Sequence, residues 1–89
     1  MITIQEYANK IGISTEKIFS RSRRKDLVTA RGVYFYYLRK VYNYTLQEIA
    51  DIFSMGHSNV FMAIKKIENY IMLRDNYTKR YLDVLNISN

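Results

Sequence analysis

Apolar residues recur three or four positions apart along most of this chain, which is the spacing of residues on one face of an α-helix. The clearest repeat predicts a long central helix from about 24 to 42. Its inward-facing positions are Leu27, Ala30, Tyr34, Leu38 and Val41. No run alternates apolar and polar residues for long enough to indicate a β-strand. The pattern therefore predicts an all-α protein, a small helical bundle.

Capping residues predict further helices near both ends of the chain. Thr3 and Glu6 have the spacing of a capping box, in which each side chain satisfies a free backbone donor at a helix start. Gly12 is expected to end the helix that they begin, and a short helix follows it. A last helix is predicted from about 77 to 86. Its inward-facing residues are Tyr81, Leu82 and Leu85.

Two closely spaced helices are predicted after the long one. Thr45 and Glu48 form a second capping box, and the helix behind them has one apolar face. That face consists of Leu46, Ile49, Ala50 and Phe53. Residues 54–56 interrupt the helix, and Gly56 is expected to take the left-handed conformation that glycine adopts without strain. A second helix begins at His57. Its inward positions are Val60, Ile64, Ile67 and Ile71.

This unit, from about 45 to 73, has the pattern of a helix-turn-helix, whose second helix enters the major groove of DNA. The exposed positions near the start of that helix would then read bases. They are His57, Ser58, Asn59, Phe61 and Met62. A different interpretation stays open, because any helical bundle contains two helices joined by a turn.

Composition excludes several classes of site. The 89 residues predict one domain, 1–89, and they include no cysteine and only His57 as a histidine. Disulfides and thiolate metal sites are therefore excluded, and no metal site is expected. No apolar run has the length of a membrane span, and residues 1–6 lack the pattern of a signal peptide. The chain is therefore expected to be cytoplasmic, with no membrane partner.

The charge of the chain favours a polyanionic partner. Fourteen basic and eight acidic residues give a formal net charge of +6, and such a surplus on a small surface attracts nucleic acid. Segment 20–25 is the densest basic run. The residues expected to contact the DNA backbone or the minor groove are Arg21, Arg23, Arg24, Lys25, Arg31, Arg39, Lys65 and Lys66. The alternative interpretation of such a run is a solvated surface without a ligand.

Catalysis is not expected, because the sequence offers no nucleophile with an adjacent base, no carboxylate pair and no metal cluster. Two other functions compete with duplex binding. Aromatic residues among basic ones, such as Tyr34, Tyr36 and Tyr37, could stack single-stranded bases. Exposed Phe61 and Met62 could instead contact a partner protein, which would make the chain an adaptor or inhibitor that retains the fold without binding DNA.

The chain resembles the C-terminal DNA-binding domain of DnaA, the bacterial chromosomal replication initiator, over residues 18–71. Residues 20–25, Ser-Arg-Ser-Arg-Arg-Lys, resemble the basic loop of that family. Residues 46–50, Leu-Gln-Glu-Ile-Ala, resemble its Leu-Pro-Glu-Ile-Gly. Residues 57–60 and 63–67 resemble its Asp-His-Ser/Thr-Thr-Val and Arg-Lys-Ile signature. The resemblance implies a fold similar to the DnaA C-terminal domain and to Trp repressor.

The resemblance also implies roles for individual residues. Arg23 matches the basic-loop arginine that enters the minor groove, while Arg31 and Arg39 match positions of the long helix that face DNA. His57 and Ser58 match positions that touch base edges and methyl groups. The remaining match is Lys66, at the lysine of Arg-Lys-Ile, which would neutralise a phosphate or pack the helix end.

Three departures from the family concern the target sequence. Gly56 replaces the acidic residue that reads a base, and glycine has no side chain to accept a hydrogen bond from cytosine N4. Asn59 replaces a hydroxyl residue, and its amide could pair bidentately with adenine. The turn is one residue shorter than in the family and resembles that of helix-turn-helix repressors. The usual nine-base box of the family is therefore not the expected target.

No Gly-x-x-x-x-Gly-Lys-Ser/Thr loop occurs in the sequence, so neither a nucleotide nor any other cofactor is expected. The sequence is that of either a stand-alone bacterial, phage or mobile-element protein or a fragment of a longer one, and its own capping box near the start favours the stand-alone protein. The predicted function is sequence-specific binding of double-stranded DNA in replication or transcription control. The second predicted helix would lie in the major groove, and the basic loop on the minor groove and phosphates.

Overall fold

The computed structural model describes residues 1–87, and within them every regular element is a helix. The all-α prediction is therefore confirmed. The helices are α1 (Ile4–Ile11), α2 (Thr15–Ile18), α3 (Lys25–Tyr42), α4 (Leu46–Phe53), α5 (His57–Met72) and α6 (Asn76–Val84). None of the helices in this part of the chain combines the length and the apolar character that crossing a bilayer would require.

Helix α3 is the centre of the core, and it packs against α2, α4, α5 and α6. Four of its five predicted inward residues are buried: Leu27, Ala30, Tyr34 and Leu38. Val41 was expected to be buried and is 48% exposed. It lies in the last turn of the helix, where its side chain lines a shallow surface depression beside Ile2 and Tyr42 instead of a neighbouring helix.

Gly32 allows α3 and α5 to cross closely. A Cβ atom added at this position would lie 2.7 Å from Cγ1 of Ile67 and 3.3 Å from the carbonyl oxygen of Ala63. Real Cβ atoms essentially never lie within 3.0 Å of another side chain, so the first of these contacts would force a shift. The absence of a Cβ therefore allows α5 to lie this near to the central helix. Glycine at position 32 thus permits the observed position of α5, the helix that was predicted to read DNA.

Hydrogen bonds at the helix starts confirm one of the two predicted capping boxes. The Thr45 hydroxyl accepts from the backbone N–H of Glu48 at 3.0 Å, and the Glu48 carboxylate accepts from the backbone N–H of Thr45 at 2.8 Å. At α1 the Thr3 hydroxyl accepts from the N–H of Glu6. The Glu6 carboxylate, however, accepts from that hydroxyl at 3.2 Å and not from the backbone, so the second box is incomplete.

The turn between α4 and α5 has the predicted three residues, but its left-handed residue is Ser54 and not Gly56. Ser54 has φ 53°, and the N–H of Met55 behind it donates to the carbonyl of Ala50 at 2.9 Å. This arrangement ends α4 with a left-handed cap. Gly56, at φ −73° and ψ 144°, is the N-cap of α5 in an extended conformation. Its backbone therefore does not require glycine.

Two tyrosines of α3 belong to the core. Tyr34 and Tyr37 are buried, and both hydroxyls contact the backbone of Ile2. The Tyr34 hydroxyl donates to its carbonyl at 2.7 Å, and the Tyr37 hydroxyl accepts from its N–H at 2.8 Å. Burial raises the pKa of Tyr34 to about 12. These two rings are therefore unavailable to stack on bases, whereas Tyr36, the third tyrosine of the single-strand interpretation, is partly exposed.

Thr29 carries an unpaired polar atom in the core, and removing it should stabilise the fold. The residue is fully buried on α3, and its hydroxyl has no hydrogen-bond partner among residues 1–87. Thr29→Val keeps the shape and removes the unpaired hydroxyl, which should raise the free energy of unfolding by about 1 kcal/mol. For a domain of this size the melting temperature should rise by about 4–8 °C.

The matched control is Thr78, the other buried threonine. Its hydroxyl donates to a carboxylate oxygen of Asp75 at 3.0 Å. Thr78→Val should therefore lower the melting temperature by removing a bond to a charged group. Thermal unfolding of the two variants gives the comparison, and a decrease for Thr29→Val would show that its hydroxyl has a partner.

Candidate nucleic-acid interface

A groove runs between α5 and the segment that joins α2 to α3. One wall is residues 19–23, one end is the α4–α5 turn, and the other wall is α5. Its apolar floor includes Phe19 and Phe53, whose ring centroids are 5.0 Å apart. The cations that line it are Arg21, Arg23, Arg31, Lys65 and Lys66. The tertiary fold thus brings together five of the eight predicted backbone-contacting residues.

Local hydrogen bonds of serine hydroxyls stabilise the irregular basic loop, residues 20–24. The hydroxyl of Ser20 donates to the carbonyl of Lys17 at 2.7 Å and accepts from the N–H of Ser22 at 3.4 Å. The hydroxyl of Ser22 in turn accepts from the N–H of Arg24 at 3.2 Å. Such local side-chain bonds replace the backbone bonds that a loop lacks. The loop therefore has a defined path across the face of α5.

Arg31 reaches this loop from α3 instead of extending into solvent. Its Nε donates to the carbonyl of Ile18 and its Nη2 to the carbonyl of Ser20, both at 2.6 Å. The side chain is half-buried, and burial lowers the pKa of the guanidinium. No carboxylate within residues 1–87 pairs with it. The two carbonyl oxygens therefore supply the negative end of the interaction.

Of the four cations in the predicted basic cluster, two form ion pairs within residues 1–87 and two do not. Arg24 forms an ion pair with Asp26 at 2.8 Å, and Lys25 forms one with Asp75 at 2.9 Å. These hydrogen-bonded carboxylates raise the pKa of both cations. Arg21 and Arg23 are exposed and have no ion pair in the described part of the chain. Two of the four cations are therefore free for an external anion.

The outer face of α5 presents the predicted base-reading residues. Val60 and Ile64 are buried as predicted, and on the opposite side five residues are exposed: His57, Ser58, Asn59, Phe61 and Met62. Met62 is 63% exposed and lies in the groove with Asn59. Phe61 lies outside the groove lining, with the ammonium of Lys65 5.8 Å from its ring centroid.

The first turn of α5 favours a negative ligand. Gly56 provides no side-chain cap and the first turn contains no acidic residue, so no side chain among residues 1–87 compensates the N–H groups of His57 and Ser58. The N–H of Asn59 donates to the carbonyl of Gly56 at 3.1 Å. The side-chain amide nitrogen of Asn59 lies 3.6 Å from the place that a Cβ of Gly56 would occupy. Any side chain introduced at position 56 would therefore lie next to that of Asn59 at the start of the helix.

These elements, in this order along the chain, match a known family. A family model described as "Bacterial dnaA protein helix-turn-helix" matches residues 3–67. The chain belongs to this family. The matched range covers α1 to α4 completely and α5 as far as Ile67. Within it, α4, the three-residue turn and α5 form the helix-turn-helix.

Curated relatives of the DnaA family are similar over most of this chain. One named chromosomal replication initiator protein DnaA, from Mycoplasma genitalium, is 36% identical over 78 residues, which cover 83% of this chain and 18% of the relative. That of Mycoplasma capricolum is 34% identical over 88% of this chain and 17% of the relative. That of Pseudothermotoga lettingae is 37% identical over 64% of this chain and 13% of the relative. The chain therefore spans less than a fifth of these relatives. No solved structure matches it significantly.

Three of the residues matched to DnaA positions do not line the groove: Arg39, His57 and Ser58. Arg39 lies apart from it. Its Nη1 donates to the carbonyl of Tyr44 at 3.0 Å, at the turn between α3 and α4. The sequence interpretation also missed Asn69, which lines the groove. The spacing of positions 59, 62, 66 and 69 follows one face of a helix, and that periodicity could have identified Asn69.

Proposed function

We propose that this chain binds double-stranded DNA sequence-specifically, with α5 in the major groove and the basic loop on the minor groove and phosphates. The observation that carries the proposal is the groove between them. In it, Arg21 and Arg23 lie beside the exposed face of α5 and form no ion pair with any residue that the structure describes. The major groove of B-DNA is about 12 Å wide and admits one helix. Free cations on the flanking loop would then meet the sugar-phosphate backbone.

The contacts divide by chemistry. Asn59, His57 and Ser58, in the first turn of α5, are the residues nearest to base edges in helix-turn-helix docking. Met62, one turn further on, can contact a thymine methyl group. Lys65 and Lys66 follow on the exposed side of α5 and would neutralise phosphates. In this arrangement the loop and the lysines supply affinity, and the first turn supplies specificity.

The relatives are named chromosomal replication initiators, which supports a role in replication. We further propose that the chain acts in the bacterial cytoplasm, at replication or transcription control sites, and is encoded by a bacterium, a phage or a mobile element. We propose site occupancy without catalysis or nucleotide binding, since the cations of the groove are side chains without a glycine-rich phosphate cradle. Saturable binding of ATP in a calorimetric titration would contradict this part.

Salt dependence tests the proposal. Within residues 1–87, four cations of the groove have no carboxylate or carbonyl partner: Arg21, Arg23, Lys65 and Lys66. Each phosphate contact contributes about −0.9 to the slope of log association constant against log salt concentration. Four contacts therefore predict a slope of about −3.6. Fluorescence anisotropy with a labelled duplex measures the slope, and single-stranded DNA of the same sequence should compete poorly.

The adaptor alternative predicts a different result. It is favoured by the exposed apolar side chains of Phe61 and Met62, which are 44% and 63% exposed. An apolar protein interface hardly responds to salt, and the chain would then fail to bind duplex DNA even at low ionic strength. Absence of binding at about 0.05 M salt, where phosphate contacts are strongest, would reject DNA binding in favour of this alternative.

A further inference from the structure

Arg31 joins the central helix both to the end of α2 and to the start of the basic loop. Its two donors, Nε and Nη2, each reach a carbonyl at 2.6 Å, one at Ile18 and one at Ser20. The first carbonyl belongs to the last residue of α2, where a helix leaves its carbonyls without intrahelical partners. The second belongs to the first residue of the basic loop.

We propose that Arg31 is a positioning residue: its guanidinium holds the basic loop in the conformation that directs Arg21 and Arg23 at DNA, and it does not itself contact a phosphate. The proposal rests on the proposed function. It differs from the sequence interpretation, which placed Arg31 among the residues that contact the DNA backbone.

Geometry supports a brace over a phosphate contact. The guanidinium is a rigid planar fork, and two of its donors, Nε and Nη2, are already bonded to the carbonyls of Ile18 at the end of α2 and Ser20 in the loop. The side chain is half-buried, whereas Arg21 and Arg23 are exposed. Its base is on α3, the most extensively packed helix, so the brace has a fixed anchor. A lysine would offer one compact ammonium and could not reproduce the fork.

Preorganisation is the expected benefit of the brace. A loop that is mobile in the free protein must be ordered when it binds, which reduces the apparent affinity by the fraction of molecules in the competent conformation. Releasing the loop should therefore weaken binding through Arg21 and Arg23 only. The loss expected for Arg31→Met is about tenfold, the effect of a competent fraction near one in ten.

A double-mutant cycle separates the two roles of Arg31. Arg31→Met should weaken duplex binding about tenfold in the wild-type background and have almost no effect in a chain that already carries Arg21→Ala and Arg23→Ala. Dependence of this kind is the signature of residues that act as one unit. If Arg31→Met costs the same in both backgrounds and lowers the salt slope by about 0.9, Arg31 contacts a phosphate and the proposal is wrong.

A second measurement does not depend on DNA binding or on the stability of Arg31→Met. Backbone ¹⁵N relaxation of the free wild-type protein should show residues 20–24 as rigid as α3, and Arg31→Lys should make them mobile while α3 and α5 stay unchanged. Arg39→Lys is the matched control, because Arg39 bonds a single carbonyl outside the groove. A loop that is mobile in the wild type, or equally rigid in Arg31→Lys, would overturn the brace even if the chain bound no DNA.

Discussion

Replacing Arg21 and Arg23 together by alanine should weaken binding to any duplex about thirtyfold at about 0.15 M salt. Both side chains are exposed, line the groove and have no ion pair among the described residues. Two phosphate contacts at about 0.9 each scale the association constant as the inverse 1.8 power of salt concentration. The salt slope should become shallower by about 1.8 units.

The matched variant removes the same charge from the neighbouring positions. Arg24→Ala with Lys25→Ala should change the slope much less, since these cations are already paired with Asp26 and Asp75. Lys25 also lies over the ring of Tyr70, at 5.3 Å, so its loss can lower stability, and circular dichroism must show both variants folded. Equal slopes for the two variants would mean that net charge alone, and not the groove, determines binding.

Asn59→Ala should cost about 1–3 kcal/mol on the preferred DNA sequence and little on unrelated DNA. The side chain is exposed in the first turn of α5 and lines the groove, and its amide can donate to and accept from adenine. Selection from a random duplex pool gives the preferred sequence, and anisotropy gives the two affinities. Equal losses on both sequences would make Asn59 a phosphate contact.

Gly56→Asp provides the complementary variant. The extended backbone at Gly56 accepts any residue, and an added Cβ would have ordinary contact with the Asn59 amide, at 3.6 Å. Aspartate at an N-cap is at least as stabilising as glycine, so the fold should not weaken. The carboxylate can accept a hydrogen bond from cytosine N4, so the selected sequence should change at one position in favour of cytosine. An unchanged selected sequence would show that position 56 does not face a base.

Periodicity and capping were sufficient to predict the helices and the helix-turn-helix, because these are local properties. The stripe through Leu27 and Leu38 faces the core, and Thr45 caps α4 as its spacing with Glu48 indicated. Gly56 was assigned the wrong conformation because a glycine in a turn usually takes the positive φ. Here α4 ends with a left-handed serine instead, and serine carries little sequence signal for that role.

The candidate site was harder to predict, because it depends on contacts between distant residues. A basic run does not reveal that Lys25 pairs with Asp75, fifty positions away. The carbonyl partners of Arg31 are backbone atoms, which leave no trace in a side-chain pattern. The sequence therefore predicted which side chains at the start of α5 are exposed, but it could not separate the unpaired cations of the loop from those that form ion pairs.

The most direct test of duplex binding in this groove is an NMR titration of the ¹⁵N-labelled chain with its selected DNA duplex. The largest amide shifts should fall on residues 20–24 and 56–66, which form the loop and the exposed start of α5. The corner around Met72, Leu73 and Tyr77, which is also exposed and apolar, should be unaffected. Shifts confined to that corner, or none in the loop and α5, would contradict the account.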